Sequence, residues 1–209
     1  MMVYPISKKV LFKPLKLFLK KIEGMENIPK KSPFIVTSNY ESYLDPWLIA
    51  SVIILLKNKK IHFLAKRGRF WNFGGFIILK RWAGAIIVEG REEKAFQDLL
   101  SLLKKEEIVG IFIEGQRTLN GELQKGKTGV VRVGLKARVP ILPIGIMGTF
   151  NIAPSNKLIP RLKRAELHIG KPIYLNKYYK QKINENLLRR LTDDIMEVIS
   201  DLTGKPYNH

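Results

Sequence analysis

From Phe34 onward, short apolar runs alternate with amphipathic stretches, and no other feature restricts the fold of this 209-residue chain as much. Phe34-Ile-Val-Thr-Ser38 reads as a short buried strand. Ile61–Ala65, Ala85–Val88, Ile108–Ile113 and Ile141–Met147 read the same way, and Ala165–Ile169 and Ile173–Leu175 as late strand pieces. Helical stretches fall between them at Asp45–Leu56, Phe70–Trp82, Glu92–Lys105 and Gly129–Ala137, and Asn184–Leu202 closes the chain. Asp45 suits an N-cap and Pro46 the first helical position. Strands alternating with helices predict an α/β class: a single domain with a mostly parallel mixed sheet flanked by helices. That domain is expected to span residues 32–209.

Composition narrows the chemistry. Hydrophobic residues make up 45% of the chain, which excludes a disordered polycation. The absence of cysteine excludes disulfides, thiolate metal sites and cysteine nucleophiles. His62, His168 and His209 are too dispersed to imply a histidine metal cluster, so no metal is expected. Lys and Arg number 37 against 18 Asp and Glu, a net charge of +19. Such a charge predicts polyanionic company: anionic lipid, phosphate-bearing substrate or nucleic acid.

The first 31 residues hold eight lysines and two glutamates. Leu15, Phe18, Leu19 and Ile22 recur at helical spacing, and Pro14 fits a first helical turn. Two readings stand level: an amphipathic helix lying on an anionic membrane surface, or a helix docked on the core with a solvated lysine face. Residues 1–31 are thus a candidate basic membrane-surface segment. The apolar run Pro46–Leu56 is shorter than the ~20 residues a spanning helix needs. Lysines 8, 9, 13 and 16 interrupt any signal-peptide pattern.

In sheets of this class ligands gather where strands end and turn into helices. Three such ends are rich in polar residues: Ser38–Asp45, Glu89–Glu92 and Glu114–Thr118. At Glu114-Gly-Gln-Arg117 a buried strand delivers a carboxylate, a glycine and a guanidinium suited to gripping phosphate. Lys125, Lys127 and Thr128 follow, before a helix N-terminus that favours anions. The bland alternative is an Arg117–Glu114 ion pair. Asn39, Ser42 and Asp45 are also explicable as turn and cap chemistry.

Asn39-Tyr-Glu-Ser-Tyr-Leu-Asp45 resembles the first motif of glycerolipid acyltransferases, Asn-His-x-Ser-x-x-Asp, with tyrosine at the histidine. Phe112-Ile-Glu-Gly-Gln-Arg-Thr118 is similar to their third motif, and Val139-Pro-Ile-Leu-Pro143 to their fourth. Gly84–Glu89 resembles the second, with Arg91 one residue late. The matches run in order from about residue 22 to 175. The resemblance implies the family's α/β fold and acyl transfer from acyl-CoA or acyl carrier protein to 1-acylglycerol-3-phosphate, giving phosphatidic acid. It implies residue 40 and Asp45 as the catalytic pair, with Glu114, Gly115, Arg117, Arg91 and Lys127 at the acceptor's phosphate. Asn39, Ser42 and Pro140 would support the site. It implies no cofactor beyond the acyl donor, and a peripheral or monotopic place on the cytoplasmic face of the cell membrane. The apolar faces of Phe70–Trp82 and Glu92–Lys105 are candidate walls of an acyl tunnel.

The departure lies at Tyr40. In the family the histidine takes the proton of the attacking hydroxyl. A phenol of pKa ~10 leaves only about one part in a thousand as phenolate at neutral pH. Losing a general base typically slows a reaction ~10²–10⁴-fold, roughly 3–5 kcal/mol of barrier. Three consequences stay open: a silenced acyltransferase, a non-catalytic lipid-binding relative, or a tyrosine activated or bypassed with help from cations such as Lys66 and Arg67. Arg67–Trp82 interleaves cations and aromatics as single-strand binders do, but no nucleic-acid motif is present. Nucleic acid is not an expected partner.

Overall fold

Residues 15–66, 86–88, 92–153, 161 and 163–209 are described in the computed structural model. The predicted helix Phe70–Trp82, Arg67, Arg91 and most of the Gly84–Glu89 motif lie outside them. Seven strands form one sheet: β1 (Leu19–Glu23), β2 (Ile35–Ser38), β3 (Ile61–Lys66), β4 (Ile86–Val88), β5 (Ile108–Phe112), β6 (Ile141–Met147) and β7 (Ala165–Ile169). Their order is β1-β7-β6-β2-β5-β3-β4. Every neighbouring pair is parallel except β6–β7. Among the described residues five α-helices accompany them: α1 (Asp45–Lys57), α2 (Glu92–Lys104), α3 (Gly129–Ala137), the short α4 (Thr149–Ile152) and α5 (Glu185–Thr203). The predicted single α/β domain with a mostly parallel mixed sheet is the observed one.

Alternation along the strands sends side chains to two apolar layers. Ile35, Val109, Ile111 and Ile141 pack with α2, α3 and α5 through Leu99, Val130 and Leu191. Phe34, Val36, Ile108, Phe112 and Leu142 pack with α1 through Ile49 and Ile53 on the other side. Both layers are buried, so the central strands read as continuous apolar runs, as parallel strands do. Leu99 and Leu103 of α2 are committed to the first layer, and Ala95 on the same helix is buried as well. That face therefore belongs to the core and is not the expected tunnel wall.

Two local expectations are corrected. The predicted helix through Ile22 stops early: Lys16–Phe18 form a 3-10 turn, and Leu19–Glu23 are strand β1, paired with β7. Leu19 sits opposite Ala165 and Lys21 opposite Glu166, so one extra residue is inserted as a bulge. The bulge lets Leu19 and Ile22, three apart, both pack on the α1 layer. A helix-like spacing is thus met by a turn followed by a bulged strand. Ile173–Leu175 forms only a single antiparallel bridge, Ile141 with Ile173.

The middle of β5 explains how the core reaches the site. Gly110 leaves room for the Phe63 ring, which stacks on Phe112 at 5.4 Å between centroids. A Cβ at Gly110 would lie 2.4 Å from that ring. Gly110→Ala is therefore expected to cost about 1–3 kcal/mol by overpacking, read from a shift in the urea-unfolding midpoint. An unchanged midpoint would show that Phe63 moves freely.

Candidate active site

β2 and β5 are parallel, with Ser38 beside Phe112, so the turns that follow them emerge side by side. The first turn is held rigidly. The Asn39 side-chain amide donates to the Ile146 carbonyl at 2.9 Å and accepts from the Ile146 amide at 2.8 Å. It thereby extends the β2–β6 ladder by one residue after the backbone has turned away. The Ser42 hydroxyl donates to the Ala153 carbonyl at 2.9 Å. Asn39 and Ser42 are buried braces.

Asp45 is the first residue of α1 rather than its N-cap, which is Leu44 without a capping side chain. One Asp45 oxygen, Oδ2, accepts from the amides of Glu41 at 2.6 Å and Ser42 at 2.9 Å. The other, Oδ1, is buried with no hydrogen-bond partner. Burial pushes this carboxyl up to about 8, opposed first by the Thr149 side chain and then by those amides.

Tyr40 rests flat on Phe112, with centroids 3.9 Å apart and planes 12° apart. Its amide donates to Glu114 Oε1 at 3.1 Å, and its carbonyl accepts from the Thr118 amide at 2.8 Å. Burial, with the Asp45 charge second, holds the phenol above its ordinary range, opposed by Arg117. A phenol so placed stays protonated at neutral pH.

Glu114 is the brace between the turns. Its second oxygen accepts from the Gln124 amide at 3.2 Å and from Gln124 Nε2 at 3.0 Å. Burial pushes its carboxyl up to about 7, and these donors pull the other way. Both oxygens accept hydrogen bonds from the two turns, so Glu114 holds the turns together. Gly115, at φ +73°, adopts a left-handed turn, and Lys127's side chain lies over it: an added Cβ would sit 2.8 Å from Lys127 Cδ. Arg117 Nη2 donates to the Tyr43 hydroxyl at 2.7 Å, while Nη1 is buried without a partner. Gly115, Arg117 and Lys127 are therefore gathered at one strand end.

Pro140 is not with them. Its carbonyl accepts from the Ile35 amide at the start of β2, at the opposite end of the strands. The four-residue advance from Ile35 to Asn39 separates Pro140 from the site by about 13 Å. Sequence reasoning also missed two groups. Glu41 is buried and turns away from Tyr40; its Oε2 accepts from the Thr149 hydroxyl and the Phe150 amide, each at 3.0 Å. Its Oε1 pairs with Lys205, which also donates to the Gly121 carbonyl. Nothing in the sequence links positions so far apart. Tyr43 was within the quoted motif, but at a position without a stated role. Among the described residues no group of three or more His, Asp or Glu is placed to hold a metal.

A parallel α/β sheet whose strand ends join a turn of the form Asn-x-x-Ser-x-x-Asp to one of the form Glu-Gly-x-Arg defines the class. The Acyltransferase family profile matches residues 20–147, and the chain belongs to that family. It is 32% identical over 166 residues to the chloroplast 1-acyl-sn-glycerol-3-phosphate acyltransferase LPAT1 of Arabidopsis thaliana, covering 75% of this chain and 44% of that protein. The chain thus spans under half of that relative's length. With the 1-acyl-sn-glycerol-3-phosphate acyltransferase of Bacillus subtilis it shares 26% identity over 186 residues, 88% of each. Its fold matches the crystal structure of the 1-acyl-sn-glycerophosphate acyltransferase PlsC of Thermotoga maritima with a TM-score of 0.68 at 24% identity, covering 96% of this chain and 83% of that one.

Removing the lysine of the Glu41–Lys205 pair leaves a carboxylate buried and uncompensated. Lys205→Met is expected to destabilise the protein by about 3 kcal/mol, while Lys205→Arg is expected to cost less. Chemical denaturation of the two variants checks this, and equal losses would mean that the charge is immaterial.

Proposed function

We propose that this chain is built to transfer an acyl group from acyl-CoA or acyl carrier protein to the free hydroxyl of 1-acylglycerol-3-phosphate, and that Tyr40 throttles the step. In the transfer, the hydroxyl oxygen attacks the thioester carbonyl, its proton leaves to a base, and the thiolate departs as the ester forms. The observation that carries the reading is the joining of the two turns. Tyr40 and Glu114 are bonded at 3.1 Å, so residue 40 stands beside an arginine whose Nη1 is buried without a partner. A phosphate on the acceptor satisfies that donor and the neighbouring Lys127. The acceptor's hydroxyl then lies toward residue 40.

The base is the weak part. A protonated phenol cannot accept the hydroxyl proton, and Asp45 Oδ1 is left without the ring N–H that a histidine at position 40 would supply. Arg117 and Lys127 can hold a phosphate whether or not residue 40 takes a proton, so a lipid-binding, non-catalytic role is the second reading. The large positive charge, with Leu17 and Leu119 exposed, supports docking on an anionic membrane surface, peripheral or monotopic and facing the cytoplasm. Among the described residues no helix is long and apolar enough to cross a membrane.

Thiol release from a long-chain acyl-CoA with lysophosphatidate in detergent micelles tests the reading. Tyr40→His is expected to raise turnover by roughly 10²-fold or more over the native chain. Equal turnover of the two proteins would remove Tyr40 as the throttle. No turnover by either would overturn the acyl-transfer reading for this chain.

A further inference from the structure

Arg117 presents an asymmetric guanidinium. Nη2 is fixed to the Tyr43 hydroxyl at 2.7 Å, and the guanidinium carbon stands 3.5 Å from the centroid of the Tyr43 ring. Nη1, on the same planar group, is buried and unpartnered. Arginine is long and rotamer-rich, and left alone at a site mouth it samples many directions. Tyr43 removes that freedom twice over, by stacking and by accepting one N–H. What is left is a single guanidinium edge aimed inward. Tyr43 itself is 43% exposed and is not in either apolar layer, so its packing does not explain its place. It shares the Asn39–Asp45 turn with Tyr40, and so couples the orientation of Arg117 to the turn that carries the reacting position.

We propose that Tyr43 is a positioning residue for the acceptor's phosphate: it stacks on Arg117 and fixes which guanidinium edge meets a phosphate monoester. This rests on the reading of Arg117 as a phosphate ligand. Acceptors with a bulky, cationic headgroup on the phosphate gain less from that edge, because the monoester carries more negative charge and a third terminal oxygen, while the diester has a single charge with a cation beside it. Tyr43 therefore contributes selectivity for lysophosphatidate over lysophosphatidylcholine as well as affinity.

The test is a double-mutant cycle on binding, independent of turnover. The full chain, Tyr43→Leu, Tyr43→Phe, Arg117→Gln and the Tyr43→Leu/Arg117→Gln double variant are titrated with 1-oleoyl-lysophosphatidate and with 1-oleoyl-lysophosphatidylcholine in the same nonionic micelles. Tyr43→Leu is expected to raise the lysophosphatidate Kd roughly tenfold, and Tyr43→Phe, which keeps the stack, by less. In the Arg117→Gln background Tyr43→Leu is expected to add nothing. The lysophosphatidylcholine affinity should move little in all four variants. If Arg117→Gln weakens binding but Tyr43→Leu is neutral, or its effect persists in the double variant, the proposal fails and the phosphate reading stands. If Arg117→Gln itself leaves the lysophosphatidate Kd unchanged, the phosphate reading fails and the proposal with it. Tyr43 is surface-exposed, and thermal unfolding of each variant separates a folding defect from lost recognition.

Discussion

One carboxylate at the end of β5 holds the functional architecture together. Glu114 accepts from the Tyr40 amide with one oxygen and from the Gln124 amide and side chain with the other. The turn after β2 meets there two consecutive stretches far from it in sequence: the turn after β5 and the loop that delivers Lys127. Without such a brace each turn would be a surface loop carrying unsatisfied amides. With it, residue 40, Arg117 and Lys127 share one strand end, and chemistry that needs all three becomes geometrically available. Burying the carboxylate is costly, as its pKa near 7 records, and the three donors offset that cost.

The brace works because the sheet beneath it is stiff. Phe63, Phe112 and Tyr40 form a column of stacked rings rising from the α1 layer to the site, and Gly110 gives that column its room. From outside, Lys205 reaches back from beyond α5 to Glu41 and Gly121, pinning the same two loops a second time. Residue 40 is thus heavily over-determined in position while being chemically unsuited to take a proton. That combination argues that the geometry of an acyl-transfer site persists around a phenol.

Much of the fold was legible because the physics behind it is local. Apolar runs bounded by turns located the strands, and β6, β7 and α3 coincide with their expected ranges. The 15, 18, 19, 22 spacing misled because a β-bulge reproduces a helix-like period over a short span. The motifs named residues that the fold brings near one another: Asn39, Tyr40, Asp45, Arg117 and Lys127 lie at neighbouring strand ends. They did not say what each does. Glu114 is a brace between two turns, Asp45 is the first residue of α1 and not its cap, and Pro140 lies at the opposite end of the strands. Those distinctions depend on which donor faces which oxygen, and Glu41–Lys205 and Arg117–Tyr43 depend on tertiary approach that spacing does not encode.

Amide hydrogen exchange resolved at single residues tests the central role of Glu114 most directly. If its carboxylate joins the turns, the Tyr40 and Gln124 amides are protected together in the native chain. In Glu114→Ala both should then exchange at least roughly tenfold faster, with β5 amides such as Val109 unchanged. Protection at Tyr40 that survives the substitution, or that is lost without any change at Gln124, would contradict the account.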